Sequence, residues 1–320
     1  MTKPAIEDAA WQALASQWSL RPGVTYLNHG SFGPAPRPVL AAQREWVDRL
    51  QGEPMDFLTR ELDGRLAEAR GQLGRLLNIS GDDLVFVDNA TTGMNIVAGS
   101  FKLEPGDEVL ATDHEYGAVL RVWQRACNRA GARLVVQEIP CPVAEEAEVI
   151  ESLFAGLTQR TRLLVFSHVT SPTAVILPAE AICRRAKQLG LAVCIDGPHA
   201  LAMLEVDLAR LDCDYYMASC HKWLCAPFGS GFLYVHPRAQ AAIEPLVMSW
   251  GRPPAGQQPG WRDEFAWSGT RDPSPFLSVP AAIGFLESVG LEAFRARTHR
   301  LAQLARDRIT DLTGLEPLVP

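Results

Sequence analysis

Seven short apolar runs punctuate the middle of the chain: "DLVFVD" (83–88), "DEVLAT" (107–112), "ARLVVQEI" (132–139), "TRLLVFSHV" (161–169), "LAVCID" (191–196), "CDYYMAS" (213–219) and "GFLYVH" (231–236). Several are continuously apolar instead of alternating, the pattern of strands covered on both faces. Between them, helical spacing predicts helices near 92–101, 116–130, 145–157 and 178–189. Pro178 suits a first helical turn, and Gly190 suits the end of that helix. Strand–helix alternation of this kind predicts an α/β domain with a mostly parallel seven-stranded sheet between helices. "WGRPPAGQQPG" (250–260) has the composition of a loop, and helical patterns follow from about 275 to 312.

The length of 320 residues suffices for one large domain and a smaller one. A net charge of −7 argues against nucleic acid or an anionic membrane as partner, though not against a small local anion site. No apolar run approaches the ~20 residues of a membrane span. The first stretch, "MTKPAIEDAAWQALASQW", carries acids and no long apolar core, so a cytoplasmic location is expected. The seven cysteines are odd in number and lack C-x-x-C spacing, which predicts reduced thiols. Cys213, Cys220, His221 and Cys225 match no familiar zinc spacing, and no metal is expected.

In sheets of this class ligands bind beyond the carboxyl ends of the strands, so the residues just after each run carry the argument. "NATTGMN" (89–95) leads into a helix. It reads either as plain capping by Asn89 or Thr91 or as an anion cradle at a helix N-terminus. Tyr116 opens the next helix, as a half-buried aromatic or as a surface for a planar ring. Ser171 is a turn residue or a hydrogen-bonding tip. Asp196 follows a buried strand and needs a partner, through a cap, an ion pair or a ligand. Ser219, His221 and Lys222 stand at the end of "CDYYMAS", in apolar surroundings where a lysine is costly. Together these describe one ligand with a phosphate, a flat ring, a ring nitrogen that prefers a proton and an aldehyde that lysine traps. Pyridoxal 5'-phosphate has all four features: Lys222 would form a Schiff base and Asp196 would keep the pyridine nitrogen positive. No Walker loop or G-x-G-x-x-G occurs, which removes an ordinary ATP or NAD site.

"YLNHGSFGPAP", "NATTGMN", "DHEYGA", "SHVTSPTAVILP", "DGPHA", "SCHKWL" and "FAWSGTRD" resemble fold-type I pyridoxal-phosphate enzymes. The match is to the class V aminotransferase family, in its isopenicillin-N-epimerase-like branch, which is related to cysteine desulfurases. The resemblance runs from about residue 24 to the end. It implies an aspartate-aminotransferase-like architecture: an N-terminal helical segment (1–23), a large cofactor-binding domain (24–260), then a connecting helix and the start of a small C-terminal α/β domain (261–320). By the resemblance, Lys222 is the Schiff-base lysine, Asp196 the pyridinium partner and His199 a contact near the phenolic oxygen. Tyr116 stacks on the ring, where desulfurases usually carry His. Ser171 stands where they often carry Asn. Ala90, Thr91, Ser219 and His221 match phosphate ligands, with Thr92 a neighbour. Thr270 resembles a residue that reaches the phosphate from the partner subunit, implying a homodimer with shared active sites. His29 and Gly30 match the loop lining the substrate side. Arg271 is either a substrate-side residue or a surface loop arginine.

Family members usually continue for several tens of residues beyond this C-terminus. The small domain is therefore expected to be incomplete here, without the arginine that clamps the substrate carboxylate. The desulfurase cysteine loop is likewise not found. The expected activity is epimerisation or a related elimination at the α-carbon of an amino acid. The alternatives are an aminotransferase, a cysteine desulfurase or lyase on the same scaffold, or a catalytically impaired cofactor-binding relic.

Overall fold

The structure is a computed structural model and describes residues 8–143, 145–251, 256 and 260–318. The expectations for 1–7, for 252–255 and 257–259 of the Pro/Gly-rich stretch, and for 319–320 lie outside the described residues.

All seven apolar runs form strands: β1 (Leu84–Val87), β2 (Glu108–Thr112), β3 (Arg133–Gln137), β4 (Thr161–Ser167), β5 (Ala192–Asp196), β6 (Tyr215–Ser219) and β7 (Gly231–Val235). They build one sheet in the order β1-β7-β6-β5-β4-β2-β3. β2 to β6 pair in parallel, whereas β7 runs antiparallel to both β6 and β1. The sheet is thus mixed but mostly parallel. The turn-back arises because β7 returns directly beside β6, with Ser219 opposite Gly231. The segment 220–230 therefore leaves and re-enters the sheet at the same edge.

Alternation along each strand sorts the side chains into two cores. Leu110, Leu164, Phe166, Ile195 and Tyr216 face one side, under helices Arg37–Gly52, Leu62–Leu76, Ala179–Gln188 and Val279–Val289. Val109, Val165, Cys194 and Met217 face the other, under helices Ala90–Ser100 and Gly117–Ala130. Leu110, Leu164 and Phe166 are fully buried, each contributing about 1.5–3 kcal/mol of transfer free energy. The same alternation turns Ser167, Asp196 and Ser219 toward the face covered by Ala90–Ser100 and Gly117–Ala130.

Two long helices, Arg37–Gly52 and Leu62–Leu76, have no counterpart in the sequence reading. Neither has a side-chain cap, and their flanking residues are Pro36 and Glu61, so the usual start signal is missing. Beyond residue 273 the chain is helical: Ser274–Leu277, Val279–Val289 and Leu291–Thr313. Among the described residues no single helix is long and apolar enough to cross a membrane.

Candidate active site

A cavity of about 420 Å³ opens at the carboxyl ends of the central strands. Asp196 ends β5, Ser219 ends β6, and His221 and Lys222 follow in the segment that turns back to β7. Ala90 and Thr91 bring the first turn of helix Ala90–Ser100. Tyr116, Ser171 and His199 complete the wall. Nine residues singled out from sequence, spread from 90 to 222, therefore share one cavity.

The loop carrying Lys222 is held from above. Gly33 donates its N–H to the His221 carbonyl at 2.8 Å. An added Cβ at Gly33 would overlap the Lys222 carbonyl oxygen, so only glycine permits this approach. The Lys222 Nζ lies 2.9 Å from His199 Nε2. Burial lowers the Lys222 pKa, and nearby Asp196 partly opposes this. Burial, with Lys222 second, pushes His199 down to about 4. His199 is thus neutral at physiological pH and accepts a hydrogen bond from the lysine.

Asp196 is 6% exposed, and its carboxyl is pushed up to about 7, by burial first and by Glu115 second, with Lys222 opposing. Its side chain makes no hydrogen bond among the described residues. A buried acid without a donor is a costly arrangement unless a ligand completes it. A second unpartnered atom is His221 Nδ1, buried with no hydrogen-bond partner among the described residues.

At the anion side, Asn89 caps the helix, its Oδ1 accepting from Thr92 N–H at 2.9 Å. The Ser219 hydroxyl accepts from Ala90 N–H at 3.0 Å. Capping and anion binding are compatible here: the cap serves the third N–H of the helix, and the first meets the strand-end residue Ser219. Thr92 does not line the cavity; its N–H and hydroxyl are both turned to Asn89. Tyr116 is 51% exposed and lines the cavity, so it is not a core aromatic.

Besides Thr92, four expected residues lie elsewhere. His29 is stacked on Trp223 with ring centroids 6.4 Å apart, and Gly30 fits against Trp223 and His199. Gly30 lies behind His199 and His29 behind Trp223, and the next two residues of the same motif, Ser31 and Phe32, reach the cavity. Thr270 and Arg271 line a different cavity of about 1060 Å³ that contains neither Lys222 nor Asp196. Arg271 there pairs with Asp88 at 3.1 Å and lies over the Phe276 ring. Sequence reasoning also passed over Phe228, which lines the smaller cavity, and Glu115, buried beside it. Phe228 lies in the turn between Lys222 and β7, where its apolar signal could have been read; Glu115, directly before Tyr116, was not singled out.

The aminotransferase class-V family model matches residues 25–320. The chain belongs to the aminotransferase class-V family. It is similar to isopenicillin N epimerase of Amycolatopsis lactamdurans, 39% identical over 325 residues, covering 97% of this chain and 81% of that protein. It is also similar to L-cysteine desulfhydrase of Arabidopsis thaliana, 31% identical, covering 87% of this chain and 64% of that one. Among solved structures, a C-DES mutant with glycine covalently linked to its PLP cofactor superposes with a TM-score of 0.75 at 25% identity, covering 84% of this chain and 72% of that one. Class-V members are pyridoxal-phosphate-dependent enzymes, and this chain has their α/β fold. Epimerases and carbon–sulfur lyases both occur among its relatives.

Proposed function

We propose that this class-V chain binds pyridoxal 5'-phosphate through Lys222 and acts at the α-carbon of an amino acid, as an epimerase or in a related elimination. The observation that carries the reading is that Lys222 and Asp196 line one cavity with Tyr116 and the first turn of helix Ala90–Ser100. The residues fit the group. Asp196 is a buried acid lacking a donor, which the ring nitrogen would supply. His221, which lines the same cavity, has a buried Nδ1 with no hydrogen-bond partner among the described residues.

When bound, pyridoxal phosphate supplies an aldehyde that condenses with amines and a ring that accepts an electron pair from the α-carbon. The chain does the rest. Ala90, Thr91, Ser219 and His221 hold the phosphate. Tyr116 covers a ring face. Asp196 holds the ring-nitrogen proton. His199, neutral, orients Lys222, and Ser171 sits at the rim. Lys222, with its lowered proton affinity, is the covalent anchor and the base that moves the α-proton. Gly30 backs His199 from behind, and His29 backs Trp223. Thr270, remote from its own Lys222, is assigned to the phosphate of the partner subunit in a homodimer.

The test is the visible spectrum of the purified protein loaded with pyridoxal phosphate, before and after borohydride, with the modified residue mapped. Attachment at Lys222 is expected, together with exchange of the α-proton for solvent deuterium without keto-acid formation. Failure to take up the cofactor, or attachment elsewhere, ends the reading. The desulfhydrase likeness supports a second reading, carbon–sulfur elimination, for which sulfide and pyruvate release from cysteine would be the signature.

A further inference from the structure

Behind Asp196 lies a second buried acid with no part in the chemistry proposed above. Glu115 is 5% exposed. Its Oε1 accepts from Thr112 Oγ1 at 2.6 Å and from Ser167 N–H at 3.1 Å, and its Oε2 accepts from Ser167 Oγ at 2.6 Å. Ser167 is in turn the register partner of Asp196 in the β4–β5 ladder. Paired residues of neighbouring strands stand side by side on one face, roughly 5 Å apart. The carboxylate is thus pinned next to Asp196 by the strand that Asp196 pairs with. A glutamine would tie Thr112 to Ser167 without burying a charge, so the bridge alone does not explain an acid here.

We infer that Glu115 is a positioning residue: held by Thr112 and Ser167, its carboxylate backs Asp196 and helps it keep a proton on the ring nitrogen of bound pyridoxal phosphate. This rests on the function proposed above. Three donors on one carboxylate favour its charged form, against the burial that pushes Glu115 up to about 7. A negative neighbour raises the proton affinity of the acid beside it, which is the direction Glu115 exerts on Asp196. The other titratable groups around the pair, on both faces of the sheet, leave this balance intact. Asp113, on the same turn, adds negative charge. Cys194 on β5 and Tyr216 on β6 are both held protonated by burial. His168 after β4 and His199 are held neutral by burial. Lys222 is the cation acting on Asp196, and it is engaged by the cofactor in the loaded protein.

The experiment is a pH titration of the ring-nitrogen 15N signal in holoenzyme loaded with 15N-labelled pyridoxal phosphate. In Glu115→Gln the midpoint for loss of the ring-nitrogen proton should fall by about one pH unit, a tenfold loss of proton affinity, as expected for removing one buried charge at an effective dielectric of about 20. Glu115→Asp, which keeps the charge, should restore most of it. Should Glu115→Gln fail to fold, Ser167→Ala removes one donor and should move the midpoint the same way by less. An unchanged midpoint in whichever variant folds, with the cofactor still fixed to Lys222 by borohydride, overturns the inference and leaves the proposed function standing. A wild-type protein that binds no cofactor overturns both.

Discussion

The two cavities of this molecule differ in what built them. The larger, about 1060 Å³, is walled by helix residues, by Val85 and Phe86 of β1, and by Trp250, Thr270 and Arg271. The smaller, about 420 Å³, is walled by the ends of β5 and β6 and by the first turns of helices Ala90–Ser100 and Gly117–Ala130. In the larger one Arg271 has Asp88 and Arg262 has Asp82, whereas the buried Nε of Arg70 has no hydrogen-bond partner among the described residues. In the smaller one, a buried acid and a buried imidazole nitrogen have no hydrogen bond among the described residues. Unpartnered polar atoms thus occur in both cavities, but only the smaller one sets them beside a partly buried lysine, Lys222. A sheet edge can hold costly polar groups because the ladder below keeps them from collapsing onto each other.

The largest effect that sharpens this contrast is expected from Lys222→Ala. The borohydride-fixable cofactor should vanish and turnover should fall by more than about 10⁴-fold while the fold is kept; a wild-type far-ultraviolet circular dichroism spectrum with no cofactor absorbance is the result to look for. Next is Asp196→Ala, which should keep cofactor but slow α-proton exchange by about 10²–10⁴-fold, measured by deuterium incorporation. Exchange at the wild-type rate would remove Asp196 from its role.

The third prediction concerns stability without cofactor. Asp196 binds its proton more tightly when folded than the ordinary 3.8, up to about 7. The folded state thus holds more protons than the unfolded one between those values, and this acid destabilises the fold increasingly as pH rises through that window. Cofactor-free Asp196→Asn should match the wild type near pH 4 and exceed it above pH 7 by on the order of 2 kcal/mol, read by urea denaturation at both pH values. Equal stability at both would show that the burial is harmless.

Smaller effects probe the larger cavity. Thr270→Ala should weaken cofactor retention by about tenfold, the value of one hydrogen bond to a charged group, and only in the dimeric fraction separated by size-exclusion chromatography. A monomer with wild-type retention would break the assignment to a partner subunit. Arg271→Ala should change stability by no more than about 1 kcal/mol, because the pair with Asp88 is partly exposed, and should leave cofactor attachment intact. Loss of attachment in that variant would join the two cavities into one site.

Six of the strands were legible because they are largely buried on both faces and so read as apolar runs, while β3, at the sheet edge, is partly exposed and was found by its short apolar stretch alone; strand ends came out one or two residues shorter than the pattern suggested. The direction of β7 was not legible, since strand composition is the same for either sense of pairing. Helices Arg37–Gly52 and Leu62–Leu76 went unread for want of capping side chains. Within the cavity, Lys222, Asp196, Tyr116 and the Ala90–Thr91 turn were found by looking just past each strand. Glu115 was not, because its neighbours Thr112 and Ser167 lie three and 52 positions away, and only folding brings both to it. Thr270 and Arg271 came from the likeness to other enzymes alone, and a single chain holds them apart from Lys222.

The reversal of the last strand has a mechanical outcome. Both feet of the lysine-bearing bend, Ser219 and Gly231, stand opposite each other on one ladder, so the reach of the amine is gauged by that rung and by the glycine strap pressing from the N-terminal side. One extra residue in the bend would cost the chain very little closure entropy. It would nevertheless detune the gauge, and tolerance of insertions for folding would part company with tolerance for catalysis at this spot.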